Sequence, residues 1–233
     1  VDVQRFVRRG IKGGFTQIFN KTNLKGANDL SFGSDFTSLY PTIMSKCKLP
    51  HKFHSWMTTA GKTTDDIISE MENGPEDMYY FVDCDIAALA PEFQDKVSNY
   101  PMFPETQTIS ADDYSEDQVT RSVLSNGCEY FTDQTLNTTS FYPKTGYVCS
   151  WTYLKQALEV GYQVTKINRV SVFHAAFVMS DYINEVYKLK ETATAQRGEM
   201  QPGTPEYDAI CARIVVYKLI LNGIYGFTIV NSD

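Results

Sequence analysis

Apolar and polar positions alternate over residues 30–39, LSFGSDFTSL, and the run is rich in β-forming side chains, so it predicts a strand. Pro41 then suits the first turn of a short helix reaching about Cys47. TTDDIISEMEN predicts a capped helix closed by Asn73 and Gly74, and MYYFVDCDIAAL predicts a second strand. From Pro91 to Pro143 the chain is polar, turn-rich and weakly periodic, which predicts an irregular insertion. Regular structure resumes at SWTYLKQALEVGY, where Ser150 caps a helix, Leu154 and Leu158 share a face, and Gly161 stops it. YQVTKINRVSVF alternates as a strand. Two helices are then predicted, about 181–198 and 205–222, joined by EMQPGTPE into an antiparallel hairpin.

The end of the second hairpin helix, KLILNGIYG, sets Lys218, Asn222 and Tyr225 within about a 60° arc of the helix, away from Leu219, Ile220 and Leu221. A solvated polar stripe is the commoner meaning of such a pattern. A cation, an amide and an aromatic ring on one face are also what a ligand surface needs. Asp35, at the end of the predicted strand with the Phe36 carbonyl behind it, offers the hard oxygen donors that divalent cations prefer, although a turn-capping role suits it equally.

Composition changes this picture little. The chain has 233 residues, 42% of them hydrophobic, enough for one substantial core or two small domains. No apolar run approaches the roughly 20 residues of a membrane span, and no secretory leader opens the chain. A start at VDVQRF without Met points to a piece of a longer protein. Five scattered cysteines, never spaced C-x-x-C, argue for reduced thiols in an intracellular setting and against structural zinc. His51 and His54 stand three apart with no further ligand cluster, so no metal is expected there.

Charge changes it more. The net charge of −7 argues against a nucleic-acid partner, but its distribution does not. Residues 1–30 carry a local balance of +4, and residues 65–117 hold fifteen acids and one base, Lys96. Without that acidic stretch the remainder sums to +7. The acidic run is either a solvated face or a surface for a basic partner.

Two stretches taken together are far more specific. DFTSLYP, residues 35–41, resembles motif A of family B DNA polymerases, D-x-x-S-L-Y-P, and KLILNGIYG resembles their motif B, K-x-x-x-N-S-x-Y-G, with Gly223 in place of serine. IKGGFT, residues 11–16, is similar to the Y-x-G-G segment of protein-primed members from phages, adenoviruses and linear plasmids, with Ile11 in place of tyrosine. GYVCSWTYLKQALEVGY fits the return from the insertion that in this family contacts the priming protein.

The resemblance implies an α+β fold: a palm of antiparallel or mixed sheet backed by helices, over residues 1–62 and 144–180 with a return at 223–233. It places the insertion at 63–143 and a two-helix fingers hairpin at 181–222. It implies template-directed DNA synthesis from dNTPs with two Mg²⁺ ions, or Mn²⁺ in their place, in the replication of a virus, plasmid or mobile element. Asp35 is then the catalytic metal ligand, joined by the Phe36 carbonyl. Ser38, Leu39, Tyr40, Lys190, Lys218, Asn222 and Tyr225 hold the nucleotide, with Arg197 sharing the face of Lys190. Tyr40 excludes the 2′-OH, and Tyr225 stacks under the templating pair. Gly13, Gly14, Tyr225 and Gly226 meet DNA, the glycines because a backbone without Cβ approaches a strand closely. Template, primer, dNTPs and a terminal protein are the implied partners, and no membrane.

The family's second catalytic aspartate, from a D-T-D strand after motif B, has no counterpart in FTIVNSD. Asp83 and Asp85 in FVDCDI imitate its spacing but precede motif B, so they are expected to be structural. No exonuclease signature precedes residue 11 and no thumb follows, so the piece is expected to be inactive alone. A DNA- or partner-binding module without catalysis, and a family B enzyme with conventional priming, remain as alternatives.

Overall fold

The computed structural model describes residues 2–14, 35–36, 38–97, 101–127 and 130–227. In chain order these form α1 (Val3–Arg9), α2 (Leu39–Lys46), β1 (Leu49–Trp56), α3 (Thr64–Glu72), β2 (Met78–Ile86), α4 (Pro91–Val97) and β3 (Glu105–Ile109). Then follow α5 (Glu116–Asn126), β4 (Gln134–Thr138), β5 (Lys144–Ser150), α6 (Trp151–Glu159), β6 (Val164–Ala176), α7 (Ser180–Gly198) and α8 (Pro205–Phe227). The architecture is α+β: β1, β6, β2 and β5 lie in that order in one sheet, and β3 pairs with β4 in a separate ribbon. Two compact units interleave along the chain, one made of Val1–Gly26, Ser55–Gly74 and Tyr80–Val172, the other of Ala27–His54, Pro75–Tyr79 and Phe173–Asp233.

In the first unit, β2 and β5 run antiparallel, pairing Val82 with Cys149 and Cys84 with Tyr147, with a bulge between Cys84 and Ile86. Val82, Cys84, Ile86 and Val148 are buried there with Leu154 of α6 and Ile67 and Met71 of α3. Both helices start where local chemistry dictates. The Thr63 hydroxyl accepts from Asp66 N–H while the Asp66 carboxylate accepts from Thr63 N–H, and Ser150 accepts from Tyr153 N–H. Gly161 ends α6 at φ 104, and a Cβ there would sit 2.4 Å from the Phe93 ring, so only glycine fits.

The stretch expected to be irregular, residues 91–143, is built instead from α4, the β3–β4 ribbon and α5. Capping boxes at Ser110–Asp113 and Ser115–Gln118 fix its turns, and the ladder from Glu105–Thr138 to Ile109–Gln134 replaces a strong apolar period. Phe103 anchors it. Fully buried at φ 61, its ring meets Tyr147, Tyr153 and Tyr162 edge-on at 5.2, 5.4 and 5.0 Å, and its N–H donates to the Tyr153 hydroxyl at 2.8 Å.

In the second unit, α2, α7 and α8 enclose a core of Met44, Ile183, Val186 and Leu221, with Leu49, Met179, Tyr187, Tyr217, Ile220 and Ile224 packed against it. The expected strand over 30–39 fails at its end: residues 30–34 and 37 lie outside the described residues, and Leu39 opens α2. The left-handed backbone of Ser38, φ 55 and ψ 46, turns the chain into the helix. Gly223 does not stop α8 at 222 either, because Ile224 packs on the core and carries the helix to Phe227. Leu219, expected on the apolar side, is 64% exposed. Among the described residues no helix is long and apolar enough to cross a membrane.

Candidate functional site

Within the second unit an open cleft of about 570 Å³ is lined by Asp35, Phe36, Ser38, Leu39, Tyr40, Lys190, Lys218, Leu221 and Asn222. Three segments far apart in sequence meet here: the turn into α2, the middle of α7 and the C-terminal part of α8. Its volume lies in the range of small-molecule sites.

The turn supplies the acid and the backbone. Asp35 and Phe36 are exposed. Ser38 occupies the N-cap of α2 without its side chain capping the helix, while its carbonyl accepts from Thr42 N–H at 3.0 Å. A left-handed L-residue costs about 1–2 kcal/mol, and such strain concentrates where a backbone must be held for a ligand. Pro41, buried, sits in the first turn of α2, where its missing N–H costs nothing. Tyr40 precedes it with half of its side chain exposed on the cleft.

The helices supply the cations. Lys218 and Asn222 are one turn apart on α8, and buried Leu221 between them lines the cleft with them. Leu221 therefore serves both the core and the cleft, a double role the polar-face reading of KLILNGIYG missed. Lys190 on α7 is half-buried, its ammonium 5.0 Å from the Tyr187 ring centroid, a contact that holds it in place. Arg197 is not among the lining residues. Among the described residues of the lining, one carboxylate faces two ammonium groups, so the cleft is biased toward a polyanion. No group of three or more His, Cys, Asp or Glu side chains able to hold a metal occurs among the described residues. Asp35 with an adjacent carbonyl nevertheless makes a hard oxygen pair that fits a hard divalent ion.

Two other groups of sequence candidates are not among the lining residues. Tyr225 and Gly226 fall in the last turn of α8, with the Tyr225 side chain outside the described residues. Gly13 and Gly14 belong to the first unit, both exposed. A Cβ on Gly13 would come 2.4 Å from the Asn137 amide nitrogen, whereas one on Gly14 would meet nothing within 4 Å.

Both oxygens of Asp83 and Oδ1 of Asp85 are hydrogen-bonded within the protein. Arg9 Nη1 donates to Asp83 Oδ2 at 3.1 Å, and Asn168 Nδ2 donates to Oδ1 of both aspartates at 3.2 and 3.0 Å. Gly146 N–H donates to Asp85 Oδ1 at 2.7 Å. That amide, then Asn168, holds the Asp85 carboxyl below the usual carboxylate range. This is a structural network.

The acidic run is likewise partly internal. Asp66 and Asp113 cap helical turns, and Glu70, Glu72 and Glu105 pair with Lys62, Lys155 and buried Lys144. Asp112, Glu116 and Asp117 are exposed in first turns, where the helix dipole favours them. A second cleft of about 590 Å³, between α2 and α7 and bearing Lys46, Lys188 and Glu191, had no sequence signal.

A family model described as DNA polymerase type B, organellar and viral, matches residues 2–230. No curated protein and no solved structure matches the chain significantly.

Proposed function

Because the chain belongs to the organellar and viral type B DNA polymerases, we propose that the cleft between α2, α7 and α8 binds the incoming dNTP for template-directed DNA synthesis. The observation that carries this reading is the convergence of Asp35, the Ser38 turn, Lys190 and Lys218 on one opening. Backbone N–H groups at a turn entering a helix suit triphosphate oxygens. Lys218 and Lys190 would neutralise the charge that builds on the triphosphate as the pyrophosphate leaves. Tyr40 would crowd the sugar C2′ and reject a 2′-OH, and Asn222 would hold the base pair end of the cleft.

Two Mg²⁺ ions, or Mn²⁺ in their place, would supply charge neutralisation and activation of the primer hydroxyl. Asp35 and the Phe36 carbonyl are the donors that would hold them. In this reading α7 and α8 are the fingers, the four-stranded sheet belongs to the palm, and residues 63–143 are the insertion that meets a terminal protein. The setting is replication of a virus, plasmid or mobile element inside a cell.

A second reading rests on the cleft lining having one carboxylate among its described residues: a module that binds nucleotide or DNA without turnover. Titration of the protein with a fluorescent dNTP and Mg²⁺ tests the shared premise, and primer extension by a longer chain that also carries the second catalytic aspartate separates the readings. Binding that weakens in Lys218→Ala and Asp35→Asn supports the cleft assignment. Equal binding by wild type and both variants overturns it.

A further inference from the structure

The chain has three histidines, and two of them face each other across adjacent strands: His54 of β1 and His174 of β6, with Nδ1 of the first 3.2 Å from Nε2 of the second. Their ring centroids are 4.8 Å apart and the planes cross at 82°. His54 is exposed and His174 half-buried, so the pair opens to solvent. We propose that His54 and His174 form a two-nitrogen site for a divalent transition-metal ion such as Cu²⁺, Ni²⁺ or Zn²⁺.

Geometry carries the proposal. Two imidazole nitrogens on one tetrahedral ion, each about 2.0–2.1 Å from it, stand about 3.3 Å apart. The pair already has that separation. In the ion-free pair one ring nitrogen carries the proton and donates to the other's lone pair. Ligation needs that proton moved to the same ring's other nitrogen, with no net loss or gain, and a small rotation that turns both lone pairs toward the ion. Water completes the coordination.

The backbone beneath is pinned independently. Successive strand residues point to opposite faces, and on the other face Phe53 and Phe173 pack edge-on with centroids 5.6 Å apart. This second cross-strand pair fixes the register that brings the histidines together. His51, three residues before His54, points to the opposite face of β1 and cannot join.

Imidazole suits Cu²⁺, Ni²⁺ and Zn²⁺, whereas Mg²⁺ prefers an octahedron of oxygens. The site is therefore chemically separate from any ion at Asp35, and the proposal does not rest on the nucleotide reading. β1 follows the helix that carries Tyr40, and β6 leads into the helix that carries Lys190. An ion bridging the histidines would fasten the strand that leaves the first cleft element to the strand that enters the second.

The test is calorimetric titration of the purified protein with CuCl₂, NiCl₂ or ZnCl₂ in non-chelating buffer containing excess Mg²⁺. The expected result is one ion per chain, Cu²⁺ tightest, with Cu²⁺ affinity lowered at least tenfold in His54→Gln and in His174→Gln and unchanged in His51→Gln. Substoichiometric Cu²⁺ added to wild type should broaden the imidazole NMR signals of His54 and His174 together and spare His51, a readout that needs no variant to fold. No saturable binding, an equal loss in His51→Gln, or broadening of a single histidine overturns the site.

Discussion

Arg9 and Asp83, seventy-four residues apart, meet at 3.1 Å, and the second guanidinium nitrogen donates to the Gly146 carbonyl at 2.7 Å. One side chain thus ties α1 to both β2 and the start of β5. Asp83 is 7% exposed and keeps Asn168 as a second donor. Arg9→Ala should lower unfolding free energy by about 1–2 kcal/mol, since a buried carboxylate loses one of two charge-satisfying donors. Urea denaturation checks it, and Arg9→Lys, unable to reach both partners, should fall between.

Asp85 makes stability pH-dependent. Its folded-state pKa lies below the unfolded value, near 3.9 for aspartate. As pH falls the unfolded state takes the proton first, so the stabilisation is whole above about pH 5 and is lost as pH drops through the folded pKa. Asp85→Asn should therefore melt below wild type at pH 7, and the difference should shrink as pH falls through the folded pKa.

Phe103 combines a left-handed backbone with a fully buried ring. Phe103→Ala keeps the strain and empties the space between three tyrosines, so it should cost about 3–5 kcal/mol. Phe103→Gly should cost slightly less, because glycine adopts positive φ freely. Thermal denaturation of both variants decides this, and a smaller loss for alanine than for glycine would contradict it.

Lys218 and Tyr40 should separate by substrate. Lys218→Ala is expected to weaken dNTP binding about tenfold, roughly 1.4 kcal/mol, whichever sugar is offered. Tyr40→Val should leave dNTP binding nearly unchanged and raise the binding of rNTP relative to dNTP. Competition titrations with matched dNTP and rNTP read both effects.

For the acidic run, the informative change is Asp112→Lys with Asp117→Lys, both exposed. Asp113 is left alone because it caps the Ala111–Asp113 turn. If this surface receives a basic priming protein, the double variant, made in a longer chain that carries the second catalytic aspartate, loses protein-primed initiation while extension of a DNA primer persists. The melting temperature should drop slightly, since each reversed charge at a helix start costs about 0.3–1 kcal/mol.

Elements whose signals are local could be read from the chain. Thr63 with Asp66 and Ser150 with Tyr153 announce the starts of α3 and α6 within one turn of sequence. S-A-D-D and S-E-D-Q carried the same capping signal at Ser110 and Ser115, and could have revealed order in the stretch taken as irregular. β1 left no trace: its middle, HKFH, is exposed, and the pairing with β6 that makes it a strand is long-range. In the same way His54 looked solitary beside His51, because its companion lies 120 residues away. The cleft was legible where motif spacing fixed it, at Asp35 to Tyr40 and Lys218 to Asn222. The double role of Leu221 depends on packing against Met44 and Ile183, which no periodicity encodes.

The 23 residues of α8 form one unbroken rod, seated on the core at Leu221 and buried again at Ile210 toward its other end. At about 1.5 Å per residue those two points stand roughly 16 Å apart, and Lys218 lies between them, only about 4.5 Å along the axis from Leu221. A rod seated at two points cannot pivot about either. Lys218 is thus carried on a stiff beam, and any displacement of its backbone toward a ligand has to be shared by the whole helix rather than by one turn of it.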